Sequence, residues 1–375
     1  LYAQWEDILG PVWLTYRSNF PEGPQATDVE KGPNFINETL AVEGNLFTEP
    51  EDYSFDGWNT KADGSGDPYS PNDKVIVDNA GDNILYAKWK HKPTITVTAN
   101  SAEKVYDGNP LTLTNNDYTY TGTLFSGHTL QVTISGTITD VGTTANGVGT
   151  VKVMSGGNDV THLYKINKVN GTLEVTKRPI ELTAASASKT YDGTPLTAAT
   201  QSPTYTISSG TFVDSQGLAS VSVAGSQTLV GSSASTITGH TLKPGTNANN
   251  YSITYKPGTL TVTTVTKEVV VTITGNTGTF TYDGNPHTVT DYTVSISDPL
   301  YTAADFTFSG TASATRTEVG TTNMGLADTD FANTNTNFTN VVFNVTDGWV
   351  KIDPLATVVV TITGNTGTFT YDGNP

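Results

Sequence analysis

The sequence predicts a mostly β chain built from small modules in series. Three observations predict it. Thr alternates with Val, Ile, Leu or Tyr in stretches such as TITVTAN, LQVTISGTITD and TLTVTTVTKEVVVTITG, the period-2 pattern of strands with one face turned inward. Gly and Pro, 36 and 18 in number, fall mostly between such stretches. The triplet YDG occurs at Tyr106, Tyr191, Tyr282 and Tyr371, at spacings of 85, 91 and 89 residues. Helical periodicity is nearly absent, and only NFINETLAV, residues 34–42, reads as a short helix.

The elements follow in order. LYAQW at 1–5 returns as LYAKW at 85–89, so residues 1–8 read as the tail of a preceding module and 9–91 as a complete one. From 92 onward other features keep phase with YDG. VGTT stands at 141–144 and 319–322, with VGSS at 230–233. Closing strands begin as NGTLEVTK at Asn170, PGTLTVTT at Pro257 and DGWVKIDP at Asp347. These landmarks divide the chain into repeats at 92–178, 179–266 and 267–355, with a fourth begun at 356–375. VVVTITGNTGTFTYDGNP is identical over 18 residues at 269–286 and 358–375, as in neighbouring units of a tandem array. The fourth stretch alone is too short to bury a core. It is therefore expected to gain order by packing on the third repeat, or from further residues of a longer filament.

Residues FDGWNTKADGSG followed by ILYAKW resemble the Listeria–Bacteroides repeat, the internalin B-repeat type, over about 11–90. That resemblance implies a small β-grasp-like module. The units K-x-YDG-x-P-L-T with a later G-T-L-x-V resemble the YDG-type and MBG-type repeats of large bacterial adhesins over 93–375. The third unit departs from the pattern, with Phe280 in place of the Lys at 104 and 189, and Trp349 in place of Leu. Together the resemblances imply one β-grasp-like module, then three β-sandwich- or β-grasp-like repeats, in an extended rod. They also imply an extracellular location on the cell surface or cell wall.

Charge and composition narrow the chemistry. The formal net charge is −17, and the first 92 residues hold 16 acids against 7 bases. Such a surface repels nucleic acid and anionic membranes, so neither is an expected partner. No apolar run approaches the roughly 18 residues of a membrane span. With no Cys, disulfides and thiolate metal sites are excluded.

In YDG the Asp-Gly pair suits a tight turn, and the Pro two residues on fixes the exit. The reading for Tyr106, Asp107 and Gly108, for Tyr191, Asp192 and Gly193, and for Tyr282, Asp283 and Gly284 is a strand–turn–strand corner with Tyr folded back as a plug. A Tyr-Asp sugar or metal site is the rival. Trp58 and Trp89 read as core, with sugar stacking as the alternative. Asp63 and Asp67 in DGSGD, and Asp78 and Asp82 in DNAGDN, are weak calcium candidates without the spaced pattern of a known loop. The five His, at 91, 128, 162, 240 and 287, are isolated, and no catalytic triad, phosphate loop or cofactor motif is present. No cofactor and no enzymatic activity are expected. Sequons stand at Asn37, Asn170, Asn250, Asn337 and Asn344. Lys104 and Lys189, with Asn250, make a Lys–Asn isopeptide crosslink a further expectation.

The favoured reading is a structural stalk whose partners are its neighbouring modules, with glycans or proteins of a host or community bound through other regions. Weak carbohydrate or mucin binding by each repeat, and an accessory region of a secreted enzyme, are the alternatives.

Overall fold

The computed structural model describes residues 10–78 and 82–374. The 1–8 tail and residues 79–81 of DNAGDN lie outside them. The chain divides into two compact units. One runs to Arg178 and includes Asn247–Ser252; the other comprises Pro179–Thr246 and the chain from Ile253. The protein is mostly β, in many small sheets. Among the described residues the helical segments are three-residue 3-10 turns.

In the first unit, residues 12–91 form a five-stranded sheet in the order Val29–Asn34, Val12–Arg17, Ile84–His91, Tyr53–Asn59, Pro68–Tyr69. Its central pair, Val12–Arg17 and Ile84–His91, is parallel. The FDGW sequence explains the core. The register slips between Phe55 and Trp58, and Gly57 sits at φ +107°, where a Cβ would meet Tyr69 O at 2.8 Å. This bulge adds a residue to the strand, so Trp58 turns inward rather than outward. Trp58 is fully buried among Leu14, Tyr16, Val42, Phe47 and Leu85. Its indole N–H donates to Glu43 O at 2.9 Å. Trp89 is half-buried against this core and donates to Ser18 O at 2.6 Å.

Residues 34–42 do not form a helix. Glu38–Ala41 is a strand paired with Lys74–Val77. The cause is local: Asn37 takes φ +65°, and the Glu38 amide donates to Phe35 O while the Phe35 amide donates to Glu38 Oε2. That closed turn ends one strand and starts the next.

Beyond residue 93 one strand order recurs. In the first unit Thr94–Ala99 lies between Tyr118–Thr121, antiparallel, and Lys165–Val169, parallel. A second sheet runs His128–Ser135, Gly142–Ser155, Gly171–Thr176, Ala102–Val105, the last pair parallel. The order returns as Tyr205–Ser209, Arg178–Ala184, Tyr251–Lys256 and as Leu218–Ala224, Gly231–Leu242, Gly258–Thr263, Ala187–Thr190. It returns again as Tyr292–Ile296, Val269–Gly275, Val341–Thr346 and as Gly320–Asn323, Trp349–Asp353, Thr277–Thr281. The third version is altered: its long strand stops at Asn323, and Phe306, Phe308, Phe331 and Phe343 form an aromatic cluster.

Each closing strand starts at a glycine or directly after one, for a steric reason. A Cβ on Gly171, Gly258 or Gly348 would lie 2.3, 2.4 or 2.5 Å from the backbone oxygen of Asn100, Ala184 or Asn276. Backbone cannot yield as a flexible side chain can. Gly258→Ala is expected to cost about 1–3 kcal/mol in denaturant unfolding, the usual range for overpacking. A wild-type midpoint would contradict this.

The stretch 356–374 does not acquire the expected order. It forms no strand, and Val358, Val359, Val360, Ile362, Phe369 and Tyr371 are exposed. The same residues at 269–275 are a strand because Tyr292–Ile296 and Val341–Thr346 pair with both edges. At 358–364 neither partner is present, and an isolated strand has nothing to bury against.

Candidate functional site

The recurring feature with the most side-chain chemistry is the YDG corner. Tyr106, Tyr191 and Tyr282 occupy one backbone position: each N–H donates, at 2.9 Å, to the last carbonyl of its closing strand, Thr176, Thr263 or Asp353. The following glycines take φ of 81°, 77° and 81°. Each Asp then closes an Asx turn, accepting at 2.9 Å from the amide two residues on, Asn109, Thr194 or Asn285.

A basic side chain reaches each turn. Lys104 Nζ donates to Asp107 Oδ1 and Asn109 O, both at 2.6 Å. Lys189 Nζ donates to Asp192 Oδ1 and Thr194 O, both at 2.6 Å, and to Thr194 Oγ1 at 2.8 Å. The third corner has Phe280 in place of that Lys and uses a different device. His287 Nε2 lies 3.1 Å from Asp283 Oδ1, and its ring stacks on Phe280 with centroids 4.3 Å apart. His287, which looked isolated in sequence, thus takes the lysine's place. The Lys189 amine is held by Asp192 and Thr194, and the Asn250 amide has separate partners described below.

The electrostatics fit a structural turn. The Lys104 ammonium and the Asn109 amide hold Asp107 below the usual carboxylate range. Lys189, then Thr194, bring Asp192 down to about 2. The Asn285 amide, with a smaller share from His287, lowers Asp283. A general acid needs the opposite shift. The sign for stability follows. A carboxylate lowered by folding stabilises above its unfolded value, near 4, and that contribution disappears as pH falls towards 2. Asp192→Asn is therefore expected to flatten the acid-side loss of stability between about pH 4 and pH 2. An unchanged acid limb in pH-dependent urea titrations would contradict it.

The tyrosine faces an aromatic from farther along the chain. In the first unit Tyr106 meets Tyr251 edge-on, with centroids 5.6 Å apart. Asn250, 1 % exposed, accepts from Val141 N–H at 2.9 Å through Oδ1 and donates to Asp140 Oδ1 at 2.7 Å. In the second unit Tyr191 meets Phe338 edge-on at 5.8 Å, and Asn337 Oδ1 accepts from Val230 N–H at 2.9 Å. Each seat thus consists of a YDG tyrosine and a Val-Gly turn, filled by an Asn–aromatic pair. Positive φ at Gly142, Gly231 and Gly320, 151°, 140° and 134°, explains why Val-Gly recurs. Asn250 and Asn337 stand in sequons, but their burial in these seats keeps both from solvent. Asn37, Asn344 and Asn170 are exposed, the last accepting from Val148 N–H.

The acidic loops of the first module close on themselves. Asp63 Oδ1 accepts from the Ser65 amide and hydroxyl, and the Asp67 amide donates to Thr60 Oγ1. Buried Asn59 accepts from the Lys61 and Gly66 amides and donates to the Gly64 and Gly66 carbonyls, tying down DGSGD from beneath. The Asp78 amide donates to Asn83 Oδ1, and the Asp82 carbonyl accepts from Ile84 N–H. Among the described residues no three His, Asp or Glu side chains gather as a metal site. Also among them, no helix is long and apolar enough to cross a membrane.

Comparison with known proteins matches residues 269–354 to the MBG domain family. That is the third version of the recurring strand order, the one least faithful to the sequence pattern. A protein of Evansella cellulosilytica, provisionally described as a "Gly-rich membrane protein", is 41% identical over 73 residues, which are 19% of this chain and 7% of that protein. The chain therefore spans a small fraction of that relative's length. Among solved structures, the N-terminal eight Ig domains of DSCAM isoform 1.30.30 align at 11% identity and TM-score 0.16, over 75% of this chain and 44% of that one. The N-terminal four Ig domains of Dscam1 isoform 8.4 align at 12% identity and TM-score 0.13, over 93% and 100%.

Proposed function

We propose that this stretch is a non-catalytic structural segment of an extracellular bacterial surface protein, a stalk that holds a binding region away from the cell. On this reading 9–91 is a Listeria–Bacteroides-type module, 92–178, 179–266 and 267–355 are MBG-type repeats, and 356–375 begins another. The observation that carries it is the repeated seat, in which a buried Asn–aromatic pair fills a corner made of YDG and Val-Gly. Within the second unit, such a joint between Tyr191 and Phe338 resists bending better than a flexible linker. Lys177 alone separates the strands Gly171–Thr176 and Arg178–Ala184, which supports the same reading. The MBG match supports a surface repeat region.

The test uses the organism that carries the gene. Antibody against residues 267–355 should label intact cells. Deleting 179–266 should shorten the distance from cell surface to the protein's far end and leave ligand binding intact. Labelling only after lysis would overturn the surface location, and lost binding without shortening would favour a ligand-binding repeat. That second reading gains little from the exposed side chains. The apolar position that recurs in the outer strands holds Tyr120, Ile207 and Val294, so an aromatic stacking platform is present in one case of three.

A further inference from the structure

We infer that the corner made by half-buried Tyr282 and exposed Val319 is a docking seat for the Asn–aromatic pair of one further repeat of this type. The corner has every part of the two filled seats. Tyr282 N–H donates to Asp353 O as Tyr106 and Tyr191 donate to Thr176 and Thr263. The Val-Gly turn is set, with Gly320 at φ 134° and Arg316 fixing it from below by donating to Val319 O and Thr321 O. Only the occupant is missing. The Val319 side chain is 48% exposed, and its N–H, equivalent to the donors of Val141 and Val230, has no acceptor among the described residues. Tyr282 has no edge-on aromatic partner among them either.

The occupant's chemistry is read from the filled seats. It must bring an amide oxygen to Val319 N–H and an aromatic edge to Tyr282. The position before the aromatic supports this specificity. Asn250 and Asn337 each meet a Val-Gly turn. In the earliest repeat the equivalent residues are Leu163 and Tyr164, at the end of the matching 3-10 turn, and Leu163 packs into its own core cluster. Its N-terminal neighbour, residues 10–91, contains neither YDG nor Val-Gly. Asn is thus used where a seat precedes the repeat, and Leu where none does. The inference rests on reading these segments as like repeats. It is independent of where the protein is located, so an intracellular location would overturn the stalk and leave the seat untouched.

The experiment compares the 375-residue chain with the same chain carrying a second copy of 287–355 after Pro375. Because 358–375 repeats 269–286, that addition completes another repeat. Amide hydrogen exchange is read at Val141, Val230 and Val319. In the 375-residue chain Val319 should exchange at least about 100-fold faster than Val230, as an amide without an acceptor does beside a protected one. In the extended chain it should slow to the range of Val230. Asn337→Leu made only in the added copy should restore fast exchange while that copy's strands stay protected. Slow exchange at Val319 in the 375-residue chain would overturn the inference. So would fast exchange beside a folded added copy, or an added copy that fails to fold. If the Leu variant unfolds its own repeat, Asn337→Gln in the added copy provides the second reading. It keeps the amide but misplaces it, and unchanged slow exchange at Val319 would again overturn the seat.

Discussion

Trp58→Ala is expected to remove about 3–5 kcal/mol from the stability of the 12–91 sheet, the usual cost of deleting a buried large aromatic. Three contacts set that size. The indole lies edge-on to Tyr16, Phe55 and Phe47, with centroids 4.6, 5.1 and 6.0 Å apart. Its N–H satisfies the Glu43 carbonyl, and the neighbouring Glu43 amide is satisfied by the Tyr16 hydroxyl. Removing the ring leaves a cavity and takes away the Glu43 carbonyl's indole donor, in a body too small to absorb the loss. Four of the five Trp lie in the first 92 residues, so tryptophan fluorescence in a denaturant titration reports mainly on this sheet. A wild-type fluorescence midpoint for the variant would refute the core role. Loss of glycan binding at unchanged stability would make Trp58 a ligand platform instead.

Asn250→Asp is expected to cost about 3–5 kcal/mol at neutral pH, the range for an uncompensated buried charge. The reason is one atom. Asn250 Nδ2 donates to Asp140 Oδ1 at 2.7 Å, and Asp would put a carboxylate oxygen at that place, in a position only 1 % exposed beside the exposed Asp140. The introduced carboxyl, desolvated and next to a like charge, must then take up a proton, which raises its titration above the unfolded value near 4. A group raised by folding contributes fully below its unfolded value and loses that contribution as pH rises. The variant should therefore approach wild type at about pH 4 and fall away towards neutrality. Asn337→Asp is the control. The Asn337 amide donates to Asn335 Oδ1, a neutral amide oxygen rather than a carboxylate, so that variant brings no second charge to its partner and should lose less, with a weaker pH dependence. Equal losses in the two variants at pH 7 would contradict the assignment.

What could be read from the sequence was local. The YDG turn needs only an Asp side chain, a glycine and the amide two residues on. It forms even in the unpaired stretch, where Asp372 Oδ1 accepts from Asn374 N–H at 3.2 Å and Gly373 takes φ +89°. Alternating Thr and Val marked the strands for the same reason. The exchange of roles between Lys104 and His287 was hidden, because His287 follows its Asp whereas Lys104 precedes it. Asn250 and Asn337 looked like chance sequons. Their meaning depends on Val141 and Val230, about a hundred residues away, and pairing at that range leaves no periodic trace. The bulge at Gly57 was similarly invisible: FDGW marks a family resemblance, but only the slipped register explains why its Trp faces inward. Residues 34–42 misled for the converse reason, since a Phe-Ile-Leu spacing suited to a helix is overridden by one asparagine at positive φ.

The identical stretches at 269–285 and 358–374 have one more consequence. The slot between Tyr292–Ile296 and Val341–Thr346 cannot distinguish them by side chain, because every side chain is the same. Two things outside the stretch favour the rightful strand: Val265, which bridges Phe338 where the second copy has Pro354 with no N–H, and the shorter tether with its higher effective concentration at the slot. Fidelity of assembly thus rests on the flank and on chain topology rather than on the strand itself. A neighbouring molecule whose slot is briefly vacant can still accept the unpaired copy, which is the entry to domain swapping. Recent duplication lengthens such a protein easily, and it also leaves strands with two addresses until later substitutions make them different.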